Sequence, residues 1–474
     1  MAQIPILSGI YVDATPDFRT SYPVNYVPVP KSTGIAEGYL RPAEGISFWA
    51  SGAGEDRGSI NWNGVHYRVS GTKLIRINAD ATMNILGDVG PGGQATMDYS
   101  FDVLSIASNG QLWYWDGAAL TYVSDPDIGN VIDAKWISGY FMTTDGTNLI
   151  VTELNDRYAV NPLKYGSSEA DPDPVLAVNE LRNEAYAFNR YTIEAFQNVG
   201  GDNFPFQRVE GAQVPRGIIG THAYCKFMDT FAFVGSGRNE PPAVYLMTAA
   251  DTEKLSTREI DIIIEQFSET ELSGMVVESR ISKNHELLYI HLPDRALVFD
   301  AMATKAVGEP VWFVLSSGLP GLSTYRARNF VWVYDDWFSG DPTVTFGYVG
   351  RMRTDIGSHF DAEVGWEFGT MVEYNAGNDA IILEMELVCL PGRVASSDDP
   401  TVWTSYTLDG ETWSQERPKS LGKQGQRNKR VAWRNQGTIR NYRIQKFRGT
   451  SEGHVPMVRL EVAFEPLKTR PGNG

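Results

Sequence analysis

The sequence predicts an all-β protein: an irregular β-propeller of six or seven blades with a short helical insertion, followed by an antiparallel domain resembling a β-sandwich. Three observations support this fold class. Short strands with a two-residue period recur along the chain. Tight-turn signals separate them at intervals of roughly 40–50 residues, as in propeller blades. The 46 glycines and 25 prolines supply many turns. An ordinary meander or sandwich is the alternative.

We expect three divisions: an N-terminal extended arm at 1–59, a propeller-like domain at 60–365 and a C-terminal β-domain with a basic stretch at 366–474. The first 60 residues show little periodicity. Their segment Y-P-V-N-Y-V-P-V-P, from Tyr22 to Pro30, reads as an extended arm lying on a surface. Each proline favours extended neighbours and removes a backbone donor. A disordered arm is the other reading of this region.

Seven hairpins are expected in the propeller region, with turns that start near residues 70, 109, 145, 189, 236, 293 and 339. Asn109-Gly110 and Asp145-Gly146 suit two-residue turns, because both central residues need positive φ. The last hairpin is expected to turn at Ser339-Gly340. One stretch departs from this pattern. Ser256 and Glu259 form a capping box ahead of apolar residues at helical spacing, which predicts a helix at 257–267, and a second helical turn is expected after it.

The clearest hairpin runs from His285 to Asp300. Alternate residues of its first strand fall on opposite faces, with Leu287 and Tyr289 on one side and Leu288 and Ile290 on the other. Pro293 and Asp294 supply its turn, and Ala296 to Phe299 start the return strand.

The formal net charge is −17, which excludes general DNA binding through a basic field. The charge is uneven, because the segment from Glu411 to Arg448 holds eleven basic and two acidic residues, a net +9. This basic stretch is a solvated face, a docking surface for an acidic partner or neighbouring subunit, or a nucleic-acid contact with interleaved aromatic residues. The candidate partner-binding residues are Arg427, Lys429, Arg430, Trp433, Arg434, Arg440 and Arg443.

Residue patterns for catalysis or metal binding are missing from the sequence. H-E-L-L-Y lacks the second histidine of a zinc-peptidase motif. His285 and His291 would lie about 20 Å apart on a strand, too far to share a metal. No phosphate-binding loop or nucleophile elbow occurs. We therefore expect no enzyme, no cofactor and no metal. We also expect no membrane anchor, because no apolar run approaches ~18 residues.

The segment H-E-L-L-Y-I-H-L-P-D-R-A-L-V-F-D (His285 to Asp300) resembles H-E-L-L-x-I-H-L-P-x-x-x-L-V-Y-D in a known family. That family is the packaged-DNA stabilisation proteins, or tail hubs, of short-tailed phages of the Salmonella lambdoid type. Similarity continues, in the same order along the chain, in G-I-I-G-T-H-A-Y-C-K-F-M-D-T-F-A-F-V (Gly217 to Val234), P-A-V-Y-L-M, Y-P-V-N-Y-V-P-V-P and G-Y-L-R-P-A-E-G-I. A weaker echo runs from Arg430 to Arg440.

The resemblance implies a structural virion protein of the tail, synthesised in the host cytoplasm. Such a protein would form a hexameric ring below the portal and its head-to-tail adaptor ring. It would retain packaged DNA, anchor tail spikes or fibres, receive a tail needle and line part of the ejection conduit, through which DNA passes without sequence-specific binding. Two other functions are compatible with a propeller: a receptor- or glycan-binding virion protein (adhesin or glycosidase), and a soluble bacterial interaction scaffold.

Overall fold

The computed structural model describes residues 2–4, 6–7, 9–12, 18–31, 37–168, 171–372, 379–394, 399–439, 442–453 and 455–467. Within these residues, seven sheets of four or five strands form a propeller, and two further sheets form a sandwich. The all-β prediction of a propeller followed by a sandwich is thus confirmed, with seven blades.

The N-terminal strands divide between the two domains. They are β1 (Ala2–Ile4), β2 (Gly9–Val12), β3 (Phe18–Ser21), β4 (Tyr26–Pro30), β5 (Gly38–Pro42) and β6 (Gly45–Ser51). Strands β1, β4 and β5 join a sandwich sheet, β2 and β3 form a hairpin, and β6 belongs to the propeller. This differs from the expected arm at 1–59. Pro28 and Pro30 fit because β4 is the edge strand of its sheet, where a missing backbone donor costs no ladder bond.

Blades 1 to 4 follow in chain order, each a four-stranded antiparallel sheet. Blade 1 is β7 (Asp56–Trp62), β8 (Val65–Ser70), β9 (Lys73–Ile77) and β10 (Met83–Asp88). Blade 2 is β11 (Thr96–Tyr99), β12 (Leu104–Ser108), β13 (Gln111–Trp115) and β14 (Leu120–Tyr122). Blade 3 is β15 (Asp133–Ile137), β16 (Tyr140–Thr144), β17 (Asn148–Val151) and β18 (Gly166–Ser167). Blade 4 is β19 (Val175–Leu181), β20 (Glu184–Asn189), β21 (Ile193–Asn198) and β22 (Phe206–Arg208).

Blades 5 to 7 complete the ring. Blade 5 is β23 (Gly217–Ile218), β24 (Tyr224–Phe227), β25 (Thr230–Ser236), β26 (Ala243–Met247) and β27 (Thr252–Lys254). Blade 6 is β28 (Val276–Ser282), β29 (His285–His291), β30 (Ala296–Asp300) and β31 (Trp312–Leu315). Blade 7 is β32 (Arg328–Val333), β33 (Asp336–Gly340) and β34 (Tyr348–Arg353), completed by β6 from the N-terminal region. Strand β6 therefore closes the propeller. It lies before residue 60, where the sequence placed the start of this domain.

Hydrophobic residues fill the space between each pair of neighbouring blades. Strand β29 is buried on both faces: Leu288 and Ile290 pack toward blade 5, whereas Leu287 and Tyr289 pack toward blade 7. Leu288 and Ile290 are fully buried, and each such side chain contributes about 1.5–3 kcal/mol. The blades are thus held together by side chains that point alternately to both sides of each strand.

Most turns between the first and second strand of a blade are two-residue turns with positive φ. In the described residues these pairs are Asn63-Gly64, Ser138-Gly139, Arg182-Asn183, Lys283-Asn284 and Tyr334-Asp335, and Met228-Asp229 forms a similar turn between β24 and β25 of blade 5. The pair Tyr334-Asp335 corrects the prediction of a turn at Ser339-Gly340, because those two residues lie inside β33. Asn109-Gly110 takes the predicted conformation, with φ of 55° and 72°. This turn joins the second and third strands of its blade.

Three α-helices occur in the described residues: α1 (Arg258–Ile264), α2 (Glu269–Ser273) and α3 (Ala301–Val307). The helix expected at 257–267 is shorter than predicted, and Thr257 rather than Ser256 caps it. The Ser256 hydroxyl instead bonds Asp261 at 2.6 Å. The capping box of Ser268 and Glu271 begins α2, as the sequence indicates. Helix α3 was not predicted.

The sandwich adds seven strands. They are β35 (Gly365–Val372), β36 (Ala380–Cys389), β37 (Thr401–Thr407), β38 (Arg417–Ser420), β39 (Ala432–Ile439), β40 (Arg443–Thr450) and β41 (Met457–Pro466). One sheet has the order β39-β36-β41-β5-β4, with β1 also paired to β41, and the other has the order β35-β40-β37-β38. Asn25 joins the two domains, because its side-chain amide donates to Ser316 O at 2.8 Å and to Gly365 O at 2.7 Å.

Candidate functional site: a basic groove on the sandwich

The basic stretch lies where the edge strands of the two sandwich sheets meet. Strand β38 ends one sheet and β39 ends the other. Two bonds hold these edges together: the Trp433 indole donates to Arg417 O at 3.2 Å, and the Arg417 guanidinium donates to Asn435 O at 3.1 Å. Between the edges lies a cavity of about 650 Å³, here called the basic groove. Its lining is Glu384, Arg417, Pro418, Lys419, Arg430, Ala432, Trp433, Arg434 and Gln436.

Arg430 and Lys429 are already paired within the chain. The Arg430 guanidinium donates to Glu386 Oε1 at 3.0 Å and lies 3.4 Å from Glu384 Oε1. These bonds raise the pKa of Arg430 and lower the pKa of Glu386. Lys429 Nζ lies 3.6 Å from Asp399 Oδ2. Carboxylates of the same chain therefore partly neutralise both cations. The positive charge that the two side chains add to the surface is smaller than the sequence suggests.

Arg434 and Arg427 are exposed, and no carboxylate of the described residues lies within salt-bridge distance of either. Arg417 and Lys419 share this property, although they were not among the predicted site residues. These two residues are two positions apart on β38, so their side chains lie on the same side of the strand. That spacing is visible in the sequence. The groove thus exposes Arg417, Lys419 and Arg434, beside the internally paired Arg430.

Two predicted site residues prove to be interior. Trp433 is 2% exposed and lies in the sandwich core, with its ring 5.8 Å from that of Phe447. Arg443 is completely buried, donates to Gln445 Oε1 at 3.0 Å and stacks 3.6 Å from the Tyr406 ring centroid. Burial lowers the pKa of Arg443 to about 10. Alternation along β39 and β40 turns both side chains inward, where they pack within the sandwich. Arg440 lies outside the described residues.

The centre of the propeller holds a second cavity, of about 740 Å³, lined by the first strands of the blades. Its carboxylates are engaged within the protein. Asp98 accepts the Trp136 N–H at 2.9 Å, Asp133 accepts the Val178 N–H at 2.9 Å, and Lys226 pairs with Glu180 at 3.3 Å. Burial is the main cause that lowers the pKa of His222 in this cavity. These contacts join one blade to the next.

In the part of the chain that the structure describes, no group of three or more His, Cys, Asp or Glu is arranged to hold a metal ion. His285 bonds Asp300 at 2.5 Å, and His291 lies 2.8 Å from Glu278. Each histidine of β29 thus has its own carboxylate and they do not converge. None of the described helices is long and apolar enough to span a bilayer.

The fold and surface define a propeller-and-sandwich protein with a basic groove on the sandwich. Residues 2–357 match the family described as "Bacteriophage P22 Gp10, beta-propeller", and residues 365–465 match "Bacteriophage P22 Gp10, beta-sandwich". The chain belongs to this family, and it is a structural tail hub protein of a phage virion. It is similar to the tail hub protein gp10 of Salmonella phage P22, with 27% identity over 98% of this chain and 99% of that protein.

Two solved structures match the chain at low identity. The N-terminal domain of Nup159 shares 8% identity over 69% of this chain and 97% of that chain, with a TM-score of 0.40. The WD40 domain of Neurospora crassa Pan2 shares 9% identity over 65% and 95%, with a TM-score of 0.40. Similarity at this level carries no argument about function.

Proposed function

We propose that six copies of this tail hub protein form a ring below the portal and head-to-tail adaptor ring. The ring retains packaged DNA, anchors tail spikes or fibres, receives a tail needle and forms part of the ejection conduit. The match to a tail hub over nearly the full length of both chains supports this assignment. The protein acts by assembly and carries out no catalysis.

The size of the propeller cavity is the observation that carries the proposal of a ring. One helical turn of B-DNA is about 34 Å long, with a major groove about 12 Å wide. A cavity of about 740 Å³ cannot contain it. Hydrogen bonds also join the innermost strands of successive blades around this cavity. A conduit for DNA therefore lies between copies of the chain, which requires several of them around an axis.

The charge distribution supports a conduit that guides DNA without holding it. Six chains of net charge −17 carry −102 together. An acidic wall repels phosphates, whereas exposed cations facing the channel would retard the DNA. The basic groove is therefore better placed against protein, where carboxylates of a neighbouring subunit or of the adaptor ring neutralise it.

The decisive experiment measures mass and DNA retention together. The purified protein is mixed with isolated portal–adaptor complex, and light scattering after size exclusion gives the number of copies bound. We expect six. Particles assembled without this protein should lose their genome to added nuclease, and adding the protein should protect it. A monomer that neither binds the complex nor protects the genome would refute the proposal. Hydrolysis of host-surface polysaccharide by the protein would favour the glycosidase alternative.

A further inference from the structure

The chain carries a second charged surface whose sign is opposite to that of the basic groove. Residues 251–271, here called the acidic segment, contain seven acidic and two basic residues, a net −5. The segment runs from the last strand of blade 5 through α1 and α2. Its apolar residues Ile260 and Ile264, together with the adjacent Leu272, are buried against blades 5 and 6, which fixes the helices to the propeller.

Most carboxylates of the acidic segment have a local role. Asp261 pairs with Lys254 at 2.6 Å, and Glu269 pairs with Arg190 at 2.8 Å. Asp251 lies 3.7 Å from Arg216. Glu271 completes the capping box that begins α2. These groups are explained within one copy of the chain.

Among the described residues, Glu253 and Glu265 have neither an ion pair nor a helix-capping role of this kind. Both are exposed, and no cation of the described residues lies within salt-bridge distance of either. Glu265 also stands at the C-terminal end of α1, and no basic residue occupies the last turn of that helix. A carboxylate there opposes the helix dipole, so its position is unfavourable in the isolated chain. A cation from outside the chain would relieve this cost.

The basic groove holds the matching groups. Lys419 and Arg434 are exposed on its two edge strands and, among the described residues, neither has a carboxylate partner. Charged edge strands resist backbone pairing between chains. A partner is therefore expected to bind here through side chains rather than by adding a strand.

We infer that the acidic segment of one copy docks in the basic groove of the next copy, with Glu253 and Glu265 facing Lys419 and Arg434. This inference rests on the ring proposed above. The groove lies on the sandwich and the acidic segment on the propeller, so the contact joins different surfaces of identical chains. Contacts between different surfaces of identical chains generate a closed ring when the repeated rotation from one copy to the next returns to the first copy.

Charge reversal tests the contact. The groove variant carries Lys419→Glu and Arg434→Glu, and the segment variant carries Glu253→Lys and Glu265→Lys. Each variant alone places like charges at every interface, so the midpoint concentration for assembly on the portal–adaptor complex should rise by about 100-fold or more. The control Lys283→Glu with Lys305→Glu makes the same change of net charge as the groove variant, at exposed turn and helix positions, and should assemble as the parent does.

Mixing the two variants separates a direct contact from an indirect effect. An equimolar mixture that alternates around a ring with an even number of copies pairs every reversed groove with a reversed segment. Such a mixture should recover assembly, as should one chain that carries all four substitutions. Thermal unfolding of each variant establishes that it is folded.

Two results would overturn the inference: parent-like assembly of either variant, or failure of both the mixture and the fourfold variant to recover. If the parent itself does not assemble on the portal–adaptor complex, the proposed ring fails, and this contact fails with it. If the parent assembles and charge reversal has no effect, the ring stands and only this contact is wrong.

Discussion

Asp133 accepts a hydrogen bond from the backbone N–H of Val178, across the boundary between blades 3 and 4, at 2.9 Å. The same arrangement recurs around the centre of the propeller. Asp98 bonds Trp136 N in the next blade, and the two carboxylate oxygens of Glu278 bond Asn329 N and Phe330 N. These carboxylates therefore join successive blades. From the sequence alone, the same residue types could equally indicate a binding site.

Removing Asp133 should destabilise the propeller. In Asp133→Ala the buried Val178 N–H loses its acceptor, which typically costs about 1–3 kcal/mol. Chemical denaturation, followed by tryptophan fluorescence, measures the change in the free energy of unfolding. Asp202→Ala, at an exposed loop position, is the matched control and should change stability by less than about 0.5 kcal/mol. Equal stabilities of the two variants would contradict a joining role for Asp133.

Glu44 should make the stability of the protein depend on pH. Burial raises the pKa of Glu44, but Arg280 at 2.5 Å and Ser282 outweigh it, and the net pKa lies below the ordinary value of 4.5. The ionised carboxylate is therefore favoured by folding. Its contribution is complete above about pH 4.5 and is lost as the pH falls through the lowered pKa.

The variant Glu44→Gln tests this dependence. At pH 7 it should lower the free energy of unfolding by about 1–3 kcal/mol relative to the parent. The difference should shrink as the pH falls below about 4.5, because the parent carboxyl then becomes protonated and resembles the amide. Urea denaturation between pH 7 and 3 measures it. The uncharged, exposed control Gln266→Ala should give the same difference at every pH, and a constant difference for Glu44→Gln would refute the prediction.

Trp433 and Arg434 are neighbours that should respond to substitution in opposite ways. Trp433 is 2% exposed in the sandwich core, whereas Arg434 is exposed in the basic groove. Trp433→Ala should lower the free energy of unfolding by about 3–5 kcal/mol. Arg434→Ala should change it by less than about 0.5 kcal/mol. Differential scanning calorimetry distinguishes the two. A stable Trp433→Ala protein with impaired assembly would restore the interpretation of Trp433 as a contact residue.

The fold class was predictable because strand alternation and glycine-containing turns are local properties. Asn109-Gly110 predicts its turn, and the two-residue period of residues 285–291 predicts the strand β29. Other turns carry no such signal. Tyr334-Asp335 takes positive φ without glycine, so the last hairpin was placed five residues too late, at Ser339-Gly340. The closure by β6 joins strands some 300 residues apart, which no local pattern encodes.

The basic groove was only partly predictable for a similar reason. Charge density in the sequence singles out residues 411–448, but which of these cations lack an ion-pair partner in the chain depends on pairing across sheets. Glu386 neutralises Arg430 from the neighbouring strand, and alternation along β40 turns Arg443 into the core. Arg417 and Lys419 lie in the groove because β38 comes to face β39, a relation between two different sheets.

Replacing Arg427, Arg430 and Arg434 together with Ala should weaken tail assembly and leave the fold intact. All three are exposed, so their loss removes little buried surface. Loss of Arg430 also frees Glu384 and Glu386, which adds negative charge beside the groove. A partly desolvated Arg–carboxylate contact typically costs on the order of 2–5 kcal/mol when one partner is removed, while an exposed pair costs under about 1 kcal/mol.

Assembly of the triple variant on the portal–adaptor complex is compared with that of the parent by sedimentation at several salt concentrations. The screening length falls from about 10 Å at 0.1 M salt to about 3 Å at 1 M. Parent assembly should therefore weaken as salt rises, whereas the triple variant should start weaker and respond less. A control with Arg182, Lys283 and Lys305 replaced by Ala removes the same charge from exposed positions on the propeller and should behave as the parent does. If the triple variant assembles as well as the parent and protects the genome equally, these arginines are a solvated face.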